Sequence, residues 1–131
     1  MAGTIIADTL THSTAGSIAT NYVVDGSAKA WVNFNGTGTI AARDSLNVSG
    51  LVDNSTGDYT VTLSNAMGNA NYTISSNTSI DVGGYDGQQN AQPKANFSPT
   101  TALYKILTSN TISSAEVDAA KVHSNIHGDL A

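Results

Sequence analysis

The chain contains no cysteine, which excludes disulfide frameworks, thiolate metal sites and cysteine nucleophiles together. Charge is equally sparse. Of 131 residues, 11% are charged, ten acidic against five basic, for a formal net charge of −5. Nucleic acids and anionic membranes select clustered basic faces, so neither is an expected partner. Apolar runs are short, and none approaches the roughly 20 residues that span a bilayer, so no membrane insertion is expected. The start, MAGTIIADTL, has no basic region leading into a long apolar stretch, and it is not expected to act as a secretory signal. Leu, Glu and Lys, the usual helix fillers, are scarce.

What the chain does have is Thr, Ser, Asn, Gly, Ala and Val. Branching at Cβ suits Thr and Val to pleated strands, while Asn and Gly suit the turns between them. The length serves one domain with a substantial core and falls short of two. Residues 1–27 stand apart. Ile5 and Ile6, then Leu10 and Ile18, then Tyr22-Val23-Val24 are apolar patches among small polar residues, closed by Asp25-Gly26-Ser27. Such a segment buries little by itself, so it reads as an extended arm for attachment or for interlocking subunits.

Residues 28–131 read as the display domain. In AKAWVNFNGTG, Ala30, Val32 and Phe34 alternate with Lys29, Trp31 and Asn33, the pattern of a strand with one buried face. Asn35-Gly36 ends it with a strong turn dipeptide. Trp31, the single tryptophan, falls on the other face and calls for cover from the arm, the domain or a neighbouring subunit. Leu46, Val48, Leu51 and Val52 lead into DNSTGDYTVTL, residues 53–63. Asp53, Ser55 and Asp58 could be read as oxygen ligands for calcium, but the twelfth position from Asp53 is Ser64, not the glutamate that closes an EF-hand loop. Tyr59, Val61 and Leu63 alternate with Thr60 and Thr62 beyond it. The stretch therefore reads as a hairpin corner between strands.

Further strands are expected at Ala70–Ile74, around Ile80 and Val82, and at Leu103–Leu107, with a weak last one through Val122, Ser124 and Ile126. A Ser113 or Ser114 ahead of Glu116 resembles a capping box and predicts one helical turn in SAEVDAAKV. Short strands separated by turn signals predict an all-β fold, an antiparallel β-sandwich carrying the N-terminal arm.

Signs of catalysis are weak. GTGTIA at 36–41 lacks the spacing of a phosphate-binding loop and is followed by strand residues. No GxSxG elbow occurs, and most acidic residues fall at turns, so no enzyme is expected. No metal or cofactor is expected in a single chain. His123 and His127 would lie ~13 Å apart along one strand, although copies of one histidine could meet on a symmetry axis. The loop from Gly83 to Phe97 is the best binding candidate, with Tyr85, Asp86, Gln88 and Gln89 as its contact residues. Tyrosine among amides and glycines combines contact area with adaptable hydrogen bonding.

The run AKAWVNFNGTG, followed by IAARDSLNVSGLVDNSTGDYTVTLSNAMGNANYTI, resembles a domain of bacteriophage tail-fibre and related virion-surface proteins, particularly from phages of marine bacteria. The resemblance is carried by Ala30-Trp31, Asn35 to Gly38, Arg43 to Ser49, Asp53 to Val61, Ala66-Met67 and the later LYKILTSN. It covers about residues 28 to 129, most specifically 43 to 61. It implies a small β-sandwich on the particle surface, assembled as a homotrimer. Its implied partners are its own copies, the tail or major capsid protein, and a host surface receptor. The chain departs from the pattern in VHSNIHGD, half polar where the family's final strand is apolar, and no long shaft or tail-anchoring domain is expected with it. The expected role is a small fibre or receptor-binding knob of the virion, with capsid decoration through the arm as the alternative.

Overall fold

The computed structural model describes residues 6–79 and 89–131. Among these residues, ten strands and one helix follow in chain order. They are β1 (Thr9–His12), β2 (Gly16–Ala19), α1 (Thr20–Gly26), β3 (Ala30–Asn35), β4 (Ala41–Leu46), β5 (Val48–Ser55), β6 (Asp58–Leu63), β7 (Thr73–Ser79), β8 (Gln89–Pro93), β9 (Leu103–Asn110) and β10 (Lys121–His127). Two four-stranded antiparallel sheets, ordered β4-β3-β10-β7 and β5-β6-β9-β8, form the expected sandwich. β1 and β2 make a separate hairpin.

Alternation builds the core. Ala30, Val32 and Phe34 of β3 and Val122 and Ile126 of β10 face Tyr59, Val61 and Leu63 of β6 and Tyr104 and Ile106 of β9, all buried. Phe34 meets Tyr59 edge-on at 5.2 Å between ring centres, and Tyr72 meets Tyr104 in the same way at 6.4 Å. The phenols that go inside take partners: the Tyr104 hydroxyl lies 2.8 Å from Ser124 Oγ, and the Tyr72 hydroxyl 2.8 Å from the Thr100 carbonyl. Burial pushes both phenols up to about 12.

Residues 53–63 are a corner. β5 and β6 pair directly, with Ser55 opposite Asp58, and Thr56-Gly57 turn the chain. Gly57 has φ +72°, and a Cβ there would lie 2.5 Å from the Thr108 carbonyl oxygen. Its amide donates to Asp118 Oδ1 at 2.7 Å. Asp58, 7% exposed, is no ion ligand: its Oδ2 is 2.9 Å from Lys94 Nζ and 3.7 Å from Lys105 Nζ. Burial works against the Asp58 charge, but the hydrogen bond and charge of Lys94 and the charge of Lys105 outweigh it and hold the carboxyl below its ordinary value.

Four expectations change. The last strand is central, not weak, since β10 lies between β3 and β7 and its inner residues are fully buried. No helical turn forms in residues 113–121. The Asn110 side chain instead accepts from the Ile112 and Ser113 amides, and Ser114 turns through φ +57°. The Val117 amide then bonds across to Thr108. Within the expected 83–97 loop, Gln89–Pro93 is strand β8, an edge position where proline is tolerated. Ile80 and Val82 lie outside the described residues. Finally, the N-terminal segment is not an extended arm but a hairpin followed by a short helix.

Gly57→Ala is expected to lower the unfolding free energy by about 2–4 kcal/mol, measured by urea denaturation, since both the positive φ and the Thr108 carbonyl oppose a side chain. The lowered Asp58 titration stabilises the fold above the unfolded carboxyl's value of about 4 and is lost as pH falls through the folded value. Asp58→Asn should therefore flatten that part of the acid stability profile and cost about 1–2 kcal/mol at neutral pH. An unchanged acid profile would assign the loss to other carboxylates.

Candidate functional site

Two surfaces carry features that the core does not require. The first is the N-terminal segment. Its hairpin turn is organised by His12, whose Nδ1 accepts from the Thr14 amide at 3.2 Å and the Ala15 amide at 3.0 Å. Gly16, at φ +96°, completes the turn. Leu10 and Ile18 are directly opposite across the β1–β2 ladder. The Thr20 hydroxyl donates to the Ala7 carbonyl at 2.6 Å, which folds α1 back over the segment's start. Ile6, Ala7, Leu10, Thr20, Val23 and Val24 line a cleft of about 340 Å³. The apolar side chains remain largely open, with Ile6 93%, Leu10 45% and Ile18 46% exposed. Ile5 lies outside the described residues.

The second surface is the outer face of the sheet β4-β3-β10-β7. Register places Trp31, Asn125 and Ser75 in one row across β3, β10 and β7, and Asn33, His123 and Asn77 in the next. These six line a shallow groove of about 400 Å³. Trp31 is half-buried and faces away from the core, as the alternation predicts. No described residue of the N-terminal segment lines this groove, so the structure does not bring Trp31 together with Leu10 and Ile18. Leu46, opposite Trp31 on β4, is an exposed neighbour.

Of the predicted contact residues, Tyr85, Asp86 and Gln88 lie outside the described residues. Gln89 opens β8 opposite Asn110, half-buried, and its side-chain oxygen is buried without a hydrogen-bond partner among the described residues. Asn33, Ser75, Asn77 and Asn125 were missed by the sequence reading, and His123 entered it only as a possible metal ligand on a symmetry axis. The available signal covered Asn33 and Asn125 alone, asparagines at outward positions inside predicted strands, where the residue is normally depleted. Among the described residues, no three His, Asp or Glu side chains gather as a metal site. The carboxylates with defined partners hold structure: Asp58 pairs with Lys94, Asp118 holds Gly57, and Asp44 caps the Ser45 amide at 2.8 Å.

Comparison with models of known protein families, with characterised proteins and with solved structures finds no significant match.

The N-terminal apolar residues are expected to be dispensable for the sandwich. Leu10→Ser combined with Ile18→Ser should shift its unfolding free energy by less than about 0.5 kcal/mol, the range of ordinary surface changes. A loss above about 2 kcal/mol in denaturant titration would mean that the pair packs into the core.

Proposed function

We propose that this chain is a non-enzymatic structural protein of a bacteriophage virion, a small homotrimeric fibre or receptor-binding knob acting in host adsorption. The observation that carries this reading is the division of labour along the chain. Residues 30–127 close a core of their own, while residues 6–24 present Ile6, Leu10, Ile18, Tyr22 and Val24 to solvent. Exposed apolar side chains gathered on one short segment are the mark of a docking element, because burying them against a partner removes that surface from water. The docked partner is the particle, and the sandwich is the displayed part. The resemblance of residues 28 to 129 to virion-surface domains supports this assignment.

A second reading, decoration of the capsid, draws on the shape of the N-terminal segment. A hairpin and helix with an apolar cleft suit a plug seated on a major capsid subunit better than an arm that interlocks fibres.

Gold-labelled antibody on intact particles separates the two. Label at the tail supports adsorption, label over the head supports decoration, and particles without label overturn both. Deleting residues 2–25 should abolish incorporation while the purified protein keeps its β-sheet circular dichroism; normal incorporation would remove the docking role. Sedimentation at about ten micromolar is expected to give the mass of three chains, and the mass of one chain would count against the trimer.

A further inference from the structure

We infer that the outer face of the sheet β4-β3-β10-β7 is a binding site for a neutral glycan, with Trp31 as its stacking platform and Asn33, Asn77 and Asn125 as its hydrogen-bonding groups. This inference does not depend on the virion assignment, since it rests on the face alone.

Six side chains form a grid of two rows on three adjacent strands. Neighbouring strands are ~4.8 Å apart and alternate residues ~6.6 Å apart, so the grid measures roughly 7 by 10 Å, the footprint of one or two sugar rings. At one corner lies an indole, whose flat apolar surface matches the C–H face of a pyranose. Around it are three carboxamides, a hydroxyl and an imidazole. Each carboxamide both donates and accepts, which is what vicinal sugar hydroxyls require.

Two of the three asparagines here, Asn77 and Asn125, have no side-chain partner among the described residues. Elsewhere in the chain asparagine side chains hold turns: Asn35 bonds Thr37, Asn47 bonds Asn65, and Asn110 bonds Ile112 and Ser113. In the grid, the Asn33 oxygen meets Arg43 at 3.4 Å, and Asn77 and Asn125 make no side-chain hydrogen bond to the described protein. They occupy strand interiors, where asparagine is a poor fit. Unfilled donors and acceptors around one aromatic ring are groups ready for a ligand.

Charge and polarity select among occupants. The grid carries no formally charged side chain, and charge lies only at its border: Asp44 opposite Asn33, Arg43 against the Asn33 oxygen but engaged with the Ala120 carbonyl at 2.8 Å, and Lys121 one row beyond His123. That does not suit phosphate, sulfate or a polyanion. A protein–protein interface would centre on apolar and aromatic residues, whereas this face has one aromatic ring among amides. β3 and β10 already have strands on both sides, so no added strand can pair with them.

Trp31 supplies its own reporter, being the single tryptophan. Full-length protein is titrated with hexasaccharides of α-linked glucose, β-linked glucose, mannose, galactose and N-acetylglucosamine, while Trp31 emission is followed. At least one should give a saturable shift with a Kd below about 10 mM. Asn77→Ala and Asn125→Ala should each weaken binding about tenfold by calorimetry. Trp31→Ala should abolish it, and His127→Ala, on β10 beyond the grid, should leave it unchanged. Because Asn77 is exposed, its variant keeps the test valid if the Trp31 variant misfolds. Silence across the panel, binding indifferent to both asparagine variants, or a response to dextran sulfate alone would overturn the assignment. So would protection of Trp31 from acrylamide quenching in the native protein, which would make the face a contact between copies of the chain.

Discussion

The Tyr59 hydroxyl holds the two sheets in relation to each other. It lies 2.9 Å from the Gly36 carbonyl oxygen at the end of β3 and 3.1 Å from Asp118 Oδ1, just ahead of β10. Burial, with the Asp118 carboxylate beside it, pushes the phenol up to about 12, so it stays a neutral donor at any physiological pH. Gly36 is glycine because the space is full: a Cβ would stand 2.5 Å from that hydroxyl. The Gly36 amide donates to Ala119, and Asp118 also takes the Gly57 amide. Two turns and the approach to β10 are thus tied to one ring. The consequence reaches the far side of the sheet. By holding the entry to β10, the knot sets Val122 opposite Phe34, and hence His123 opposite Asn33 and Asn125 opposite Trp31. A slip of one residue would turn Val122 and Ile126 outward and dismantle the polar grid in the same step.

Sequence reading succeeded where a physical period of two was uninterrupted. β3 and β6 alternate cleanly, and their inner faces were named correctly because each inward residue is apolar and each outward one is polar or aromatic. The 53–63 corner was legible because Asp, Asn and Gly at its centre have few other uses. β10 was underrated because Ser124 occupies an inward position, and only the structure supplies the Tyr104 hydroxyl that satisfies it. β8 was missed for a related reason: Gln-Asn-Ala-Gln-Pro has no apolar alternation, and its strand character comes from pairing with β9. In both cases the deciding partner is distant in sequence.

The N-terminal segment shows the opposite failure. Its apolar residues were recognised, yet its shape was not. Ile18 is separated from Tyr22 by small residues that give neither a helical nor a strand period. The fold there depends on two local bonds, His12 Nδ1 accepting in the hairpin turn and Thr20 reaching back to Ala7. Histidine standing in for an aspartate-type turn cap is a weak signal, since its usual reading is a titrating or ligating group.

The polar outer face has a simpler rival explanation, solubility. With 11% charged residues, the chain must hydrate its surface through hydroxyls and amides, and a polar edge strand such as β7 also discourages edge-to-edge association. That argument accounts for Ser75, Ser79 and the exposed side of β7. It does not account for Asn125, or for the amide nitrogen of Asn33 beyond its oxygen's contact with Arg43, both on strands flanked on both sides. Threonine would hydrate those positions equally and fit a pleated strand better, and the chain uses it freely at Thr60 and Thr62 on the other sheet. Asparagine was placed instead, in register, across from a half-open tryptophan on β10 and two residues beyond it on β3. Solubility selects for polarity anywhere on a surface; it gives no reason for amides to converge on one ring.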